Sequence, residues 1–253
     1  MTFSFESAKR LGETTDILIE NFRPGVTDRI GLGYQSLCKA NPALIYTSSS
    51  SWGDVGPMRD KAALDPHVQA FSGFGGLNGP LGGSPEMLRF VHMDPAGAVV
   101  VANLSLLGLL GRQRFGQACH LHTSHFAMGI AMQTNRAAEA LLAHQKLDVL
   151  GSASSASAPN QCFKMLDGEY IAVACDTQLQ WEGLCRALDI TDLMRDVRFL
   201  TNVNRVENRG TLAELVGEKI QALKNLDIEQ KIKLVFLTCI GREPYEEERN
   251  LVV

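Results

Sequence analysis

The sequence predicts an α/β protein: a parallel sheet with flanking helices, followed by a smaller α+β domain. Three observations carry that expectation. Two short apolar strands bracket a helical stretch within about 30 residues, the size of a βαβ unit. Two long apolar helical segments follow. Beyond a Ser- and Ala-rich stretch at Gly151 to Pro159, the pattern changes to a hairpin and short amphipathic helices.

Asp16-Ile17-Leu18-Ile19-Glu20 reads as a short buried strand. Arg23-Pro24-Gly25 turns the chain, and Pro24 suits the first position of a helix. Val26 to Ala40 has helical apolar spacing at Val26, Ile30 and Leu37, broken near Gly31 and Gly33 and ended by Asn41-Pro42. Leu44-Ile45-Tyr46-Thr47 is a second strand, parallel to the first through a right-handed crossover. Ser48 to Ser51, Trp52-Gly53 and Gly56-Pro57 read as loop, Asp65 to Phe74 as helix, and Ser72 to Gly83 as a glycine-rich stretch. Pro95 to Arg114 is a long apolar helix. His122 to Gln145 is another, with Phe126, Ile130, Thr134, Ala138, Leu141 and Leu142 on its inner face.

Low complexity makes Gly151 to Pro159 a linker or mobile loop. Cys162 to Leu166, Asp167-Gly168 and Tyr170 to Ala174 form a hairpin with an Asp-Gly turn. In Gln178 to Leu188, Trp181, Leu184, Cys185 and Leu188 fall at i, i+3, i+4 and i+7, a helical stripe. A last helix is expected over Val206 to Leu223. The expected division is therefore a large domain at 1–150, a linker at 151–160, a small α+β domain at 161–236 and a tail at 237–253. In that tail Glu243 and Glu246 to Glu248 look solvated or frayed.

Composition narrows the function. The 253 residues are 45% hydrophobic and 21% charged, which is globular. A net charge of −4, from 24 basic and 28 acidic residues, argues against a nucleic-acid surface. The apolar run Ala96 to Gly111, 16 residues interrupted by Asn103 and Ser105, is short for a membrane span and reads as a buried helix. Residues 1–13 lack a basic-then-apolar signal pattern. Six Cys without a CxxC pair read as reduced thiols in a cytoplasmic protein. A small-molecule or protein partner is what remains, without nucleic acid or membrane.

In an open parallel sheet, ligands bind beyond the carboxyl ends of the strands. Asn21-Phe22-Arg23 follows the first strand directly. Phe22 can stack on a base and Arg23 can pair with phosphate; the tripeptide alone favours the plainer reading, in which Asn21 caps a turn, Phe22 fills core and Arg23 is a surface charge. His92-Met93-Asp94-Pro95 precedes the long apolar helix, which makes Asp94 an N-cap with Pro95 at N1. A carboxylate there sits in the positive field of the helix terminus, and a carboxylate in a dry pocket can act as a nucleophile on an activated acyl group. His120, His122 and His125 raise the question of a metal site, but no carboxylate or Cys stands at ligand spacing on the same face, so no metal is expected. The glycines from Gly75 to Gly83 match neither a P-loop nor a dinucleotide fingerprint.

Taken in order, these pieces resemble the type III CoA-transferase family, the group of formyl-CoA transferase, carnitine CoA-transferase and the α-methylacyl-CoA racemases. The resemblance runs through Asp16 to Gly25, with Glu20-Asn-Phe-Arg-Pro-Gly25 its most specific part. It continues through Gly31-Leu-Gly33, Asn41 to Tyr46, Trp52-Gly53, Gly56-Pro57, Gln69 to Gly73, Asp94 with its helix, and Gly116-Gln117. Asp167 to Val173 with Gln180-Trp181 extend it into the small domain. It implies an incomplete Rossmann-like sheet and coenzyme A as the substrate thioester. It implies Asp94 as the catalytic aspartate, with Asn21, Phe22, Arg23 and Arg29 at CoA contacts and Asp65 in the segment lining the CoA channel. It also implies transfer of CoA from an acyl-CoA to a free carboxylic acid, through an aspartyl mixed anhydride and an aspartyl-CoA thioester.

Departures from the pattern set the alternatives. Leu64 stands where the racemase branch carries a His base, which places racemase behind transferase. The family's glycine lid over the aspartate has no match. The strands that normally precede Asp16 and the C-terminal return are not matched either, so the chain looks incomplete at both ends. A second class of reading follows, an idle CoA-transferase-like subunit acting by association. A homo-oligomer, or association with a longer homologue, is expected from the apolar surface that an incomplete sheet leaves exposed.

Overall fold

The computed structural model describes residues 5–144, 146–222 and Glu246. It divides into two compact units. The first takes the described residues up to Gly79 and Gly83–Val149; the second takes Pro80–Gly82 and the described residues from Leu150 on.

The first unit opens with a helix that the sequence pattern did not suggest, α1 (Phe5–Gly12), whose last residue packs on Leu37. Strand β1 (Ile17–Glu20) leads through α2 (Val26–Arg29) and α3 (Tyr34–Ala40) into β2 (Ile45–Ser50). The expected helix from Val26 to Ala40 is thus two pieces, separated at the Gly31–Gly33 break. Helix α4 (Asp65–Phe71), a 3-10 turn at Gly75–Leu77 and the long α5 (Met93–Phe115) precede β3 (Cys119–Ser124). All three strands are parallel in the order β1-β2-β3, with Ile17 opposite Ile45 and Ile45 opposite Cys119. Leu37, Leu44 and Tyr46 form the core on one face.

On the other face α5 lies close to β2, where a Cβ on Gly108 would stand 2.6 Å from Ile45 Cγ2. The Ser105 hydroxyl bonds to that of Thr47 at 3.0 Å. By length and composition α5 is apolar enough to cross a membrane, yet in this fold it packs on β2, β3, α4 and α6.

Several expectations are corrected. β1 is not buried: among the described residues it ends the strand order and pairs on one side only, leaving Ile19 55% exposed. Ser48 to Ser50 are strand, because their backbone continues pairing with His122 to Ser124. For the same reason His122 is strand and not helix. Helix α6 (His125–Met132) starts where the Ser124 hydroxyl accepts from Ala127 N at 3.1 Å, and it breaks before α7 (Thr134–Leu141). Leu141 and Leu142 are exposed, so the expected inner face is not covered there; Gln145 lies outside the described residues. Helix α5 buries only one side, with Val99, Leu106, Leu107 and Leu110 exposed.

The second unit pairs β4 (Asn160–Lys164) with β5 (Tyr170–Ala174) in an antiparallel hairpin around Asp167-Gly168. Helices α8 (Gln178–Ala187), α9 (Asn202–Glu207) and α10 (Arg209–Ala222) enclose a core of Trp181, Leu184, Cys185, Phe199, Leu212, Val216 and Ile220. The last helix expected from Val206 is therefore two, with Thr201 capping the first.

The Ser/Ala-rich stretch is not a free linker. Arg205, only 1% exposed, donates to Ala158 O at 2.8 Å; Arg209 donates to Ser154 O at 2.8 Å; and Ser157 donates to Asp176 at 2.5 Å. Small residues allow the backbone close to those partners, which fixes a composition that by itself suggests mobility. Glu246 is exposed; Leu223 and the rest of the tail expectations lie outside the described residues.

Candidate active site

Helix α5 crosses back from β2 to β3, so its first turn must lie at the carboxyl ends of the strands. Asp94 is placed there, but not as the cap. The helix starts at Met93 with His92 as N-cap, and Asp94 is the second helical residue. The cap is supplied from α4 by Asp65, whose Oδ2 accepts from His92 N at 2.9 Å, Met93 N at 2.6 Å and Asp94 N at 3.2 Å. Its Oδ1 accepts from Gln69 Nε2 at 2.6 Å, and Gln69 Oε1 in turn accepts from Leu88 N at 3.0 Å. Asp65 is 4% exposed. Burial opposes its ionisation, but the bonds from Gln69 and from the Asp94, Met93 and His92 amides outweigh it and hold the carboxyl below its ordinary range. Both of its oxygens are thus committed to protein donors, and Asp65 orients the turn that carries Asp94.

Asp94 opens onto a cavity of about 610 Å³. The ends of all three strands contribute: Ile19 in β1 and Asn21 after it, Ser49 in β2 and Ser51 after it, and His125 after β3. Leu64, Ala98, Val101 and Ala102 make its apolar wall. His125 Nδ1 is 3.4 Å from Asp94 Oδ1, with the imidazole 12% exposed and the carboxylate 56%. Ser49 Oγ is buried with no hydrogen-bond partner among the described residues. Asn21 donates from Nδ2 to Ser49 O at 2.9 Å, tying the end of β1 to β2.

Phe22 and Arg23 face a neighbouring cavity of about 240 Å³ that shares Asn21, Ser51 and Ala63 with the first. Phe22 is exposed, and Arg59 and Lys61 join Arg23 there. Three cations beside an exposed ring suit a phosphorylated ligand. Arg29 lines neither cavity; its guanidinium stands over Gly25. The sequence reading missed Arg59, Lys61 and His125. The only signal for the first two is a charged Arg59-Asp60-Lys61 cluster in a loop. The sequence suggests His125 only as a metal ligand, because nothing in it places that residue beside Asp94.

His120 and His122 stand on one face of β3 with ring centroids 3.8 Å apart. His120 bonds to the Ser48 hydroxyl at 2.8 Å, and His122 Nδ1 is 3.6 Å from Asp54. Burial first and His122 second push the His120 pKa down to about 4. No group of three His, Cys, Asp or Glu among the described residues is arranged to hold a metal.

Comparisons with known proteins identify the family. The profile of CoA-transferase family III matches residues 4–237. The mouse protein named succinyl-CoA:glutarate CoA-transferase is 30% identical over 211 residues, covering 83% of this chain and 48% of that protein. Acetyl-CoA:oxalate CoA-transferase of Acetobacter aceti is 33% identical over 199 residues, covering 78% of this chain and 51% of its own length. A crystal structure of Rv3272 from Mycobacterium tuberculosis superposes with a TM-score of 0.74 at 27% identity, covering 86% of this chain and 57% of that one. A CAIB/BAIF family protein from Brucella suis gives 0.66 at 31% identity, with 86% and 57% covered. The chain spans about half the length of the curated relatives it matches. With a match that runs through both units and through the Asp94 turn, the chain belongs to CoA-transferase family III.

Proposed function

We propose that this chain carries the acyl-transfer centre of a CoA-transferase, moving CoA from an acyl-CoA thioester to a free carboxylic acid, with Asp94 as the covalent carrier. The observation that supports this most directly is the placement of Asp94: an open carboxylate on a helix turn fixed by Asp65, at the mouth of a cavity built from three strand ends. In this reading Asp94 attacks the thioester carbonyl and CoA thiolate leaves, giving a mixed anhydride. The thiolate then attacks the aspartyl carbonyl, releasing the first acid and forming an aspartyl-CoA thioester. A second carboxylate attacks the aspartyl carbonyl and expels CoA thiolate, giving a new anhydride; the thiolate then attacks the acyl carbonyl, forming the new acyl-CoA and releasing the Asp94 carboxylate. Splitting one exchange into such steps lowers each barrier.

CoA is assigned to the cavity of Phe22 and Arg23, with Arg59 and Lys61 as further phosphate partners and Asn21 holding the shared wall. Arg29 is left with no contact role, and Asp65 acts through the helix and not on CoA. Leu64, 70% exposed at the start of α4, offers no base at the cavity wall, which supports transferase over racemase. The division of labour proposed is chemistry in 1–150, with 151–160 and 161–236 as a fastened connection and small domain. Association with a second copy or a longer homologue is supported by the exposed Ile19, Leu106, Leu107 and Leu110.

The test is covalent trapping. Chain incubated with acyl-CoA and quenched with hydroxylamine should carry the modification on Asp94 by mass spectrometry, and Asp94→Asn should carry none. A modified peptide elsewhere would refute Asp94 as the carrier, and an unmodified wild type that still sediments as a complex would leave the association reading instead.

A further inference from the structure

We infer that His125 is a catalytic hydrogen-bond donor to the aspartyl carbonyl, serving the half of the reaction in which CoA attacks Asp94; the inference rests on Asp94 being the acyl carrier. The two oxygens of Asp94 are not equivalent. Oδ1 faces the imidazole, with Nδ1 at 3.4 Å. The other oxygen is the one left to attack a thioester. In the anhydride that results, Oδ1 is the carbonyl oxygen of the aspartyl group. When CoA thiolate adds to Cγ, a C–S bond forms and the negative charge moves onto Oδ1. Collapse breaks the bond from Cγ to the bridging oxygen, and the first acid leaves as its carboxylate. A donor aimed at Oδ1 therefore stabilises charge in this step, and not in the earlier attack on the substrate carbonyl. The 3.4 Å separation is longer than a formed hydrogen bond, as is common for such contacts before substrate binds.

The fold holds the ring in place independently of its contact with Asp94. Ser124 caps α6, and Phe126 N donates to Ser51 O at 3.0 Å, which fixes the backbone on both sides of His125. Gly97, one turn beyond Asp94 on α5, makes room for the imidazole. A Cβ at that position would stand 2.7 Å from His125 Cδ2 and 2.8 Å from Nε2. The helix that carries the aspartate thus has a notch filled by this ring. Asp65 is the other acid lining the cavity, and its oxygens are taken by Gln69 and the helix amides, so they do not compete for His125.

The experiment measures the single-turnover rate at which radiolabelled CoA appears on Asp94, in wild type, His125→Phe and His125→Asn. Phe keeps a ring in the Gly97 notch without a donor; Asn restores an N–H near the position of Nδ1. We expect His125→Phe to slow labelling on the order of 100-fold, as for loss of one oxyanion donor, and His125→Asn to recover part of it. Equal labelling in wild type and His125→Phe overturns the assignment while leaving Asp94 as carrier. Equal loss in both variants also overturns it, because that marks packing and not donation. Unchanged labelling together with loss of α-deuterium exchange in His125→Phe overturns it in favour of proton transfer. Absence of label on Asp94 in the wild type overturns the carrier reading itself, and this inference with it.

Discussion

Replacing Asp65 by Asn tests whether the first turn of α5 is held by a buried charge. The site presents four donors, the Gln69 amide and the N–H groups of His92, Met93 and Asp94, and no acceptor. A carboxylate satisfies all four. An amide has one oxygen, so its NH2 must face either Gln69 or the helix. The loss combines one charge-assisted bond, about 1.5–3 kcal/mol, with one stranded donor, about 1–3 kcal/mol, for a total of about 2.5–6 kcal/mol. That is a large part of the roughly 5–15 kcal/mol that stabilises a domain. Adding Gln69→Glu should return much of it, since the carboxylate introduced there would accept both from the new amide and from Leu88 N. The assay is urea unfolding in a Trp181→Phe background, where Trp52, packed with Val68 and Met93, reports on the first unit. The sign with pH is fixed by the lowered pKa of Asp65. Its contribution is full above the ordinary value of 3.8 and disappears as pH falls through the lower folded value, so wild type and Asp65→Asn should converge in acid. A loss under about 1 kcal/mol, or no coupling to Gln69→Glu, would refute the reasoning.

Three further outcomes follow from named contacts. Arg23→Ala should weaken CoA binding by about 1–3 kcal/mol, whereas Arg29→Ala, which lines neither cavity, should leave it unchanged; equal effects in calorimetry would contradict the placement. His120, with its pKa pushed down to about 4, binds a proton in the unfolded chain before it does in the fold. Stability should therefore fall as pH drops from 6.5 towards 4, by up to about 2 kcal/mol once solvent screening of a half-buried ring is allowed for, and His120→Gln should flatten that slope in acid titration. Arg205→Met removes donors from Ala158 O, Phe199 O and Gln178 Oε1. It should cost the second unit about 2–4 kcal/mol, read by Trp181 fluorescence; a loss under about 1 kcal/mol would show that these bonds do not fasten the Ser/Ala-rich segment.

Local pattern was sufficient wherever a segment's fate depended on its own spacing. The strand at Ile17–Glu20, the Gly31–Gly33 break, the Asp-Gly hairpin and the Trp181 stripe of α8 all follow from periodicity and turn chemistry. It failed where neighbours decide. The serines of β2 became strand because β3 pairs with them, and His122 became strand for the same reason. The segment at 151–159 is held by Arg205 and Arg209, which stand 47 and 55 residues along the chain from the carbonyls of Ala158 and Ser154 that they bind.

The candidate site divides in the same way. In the sequence, Asp94, Asn21, Phe22 and Arg23 stand next to element boundaries, and only the family resemblance gives them roles in the candidate site. That Asp65 and not Asp94 caps α5, that His125 faces Asp94 across a glycine notch, and that Arg59 and Lys61 join Arg23 are contacts between segments distant in sequence. Sequence determined which side chains were available for chemistry. The packing of α4, α5 and β3 decided which of them meet, because a hydrogen bond or an ion pair is set by distance in space and leaves no period in the chain.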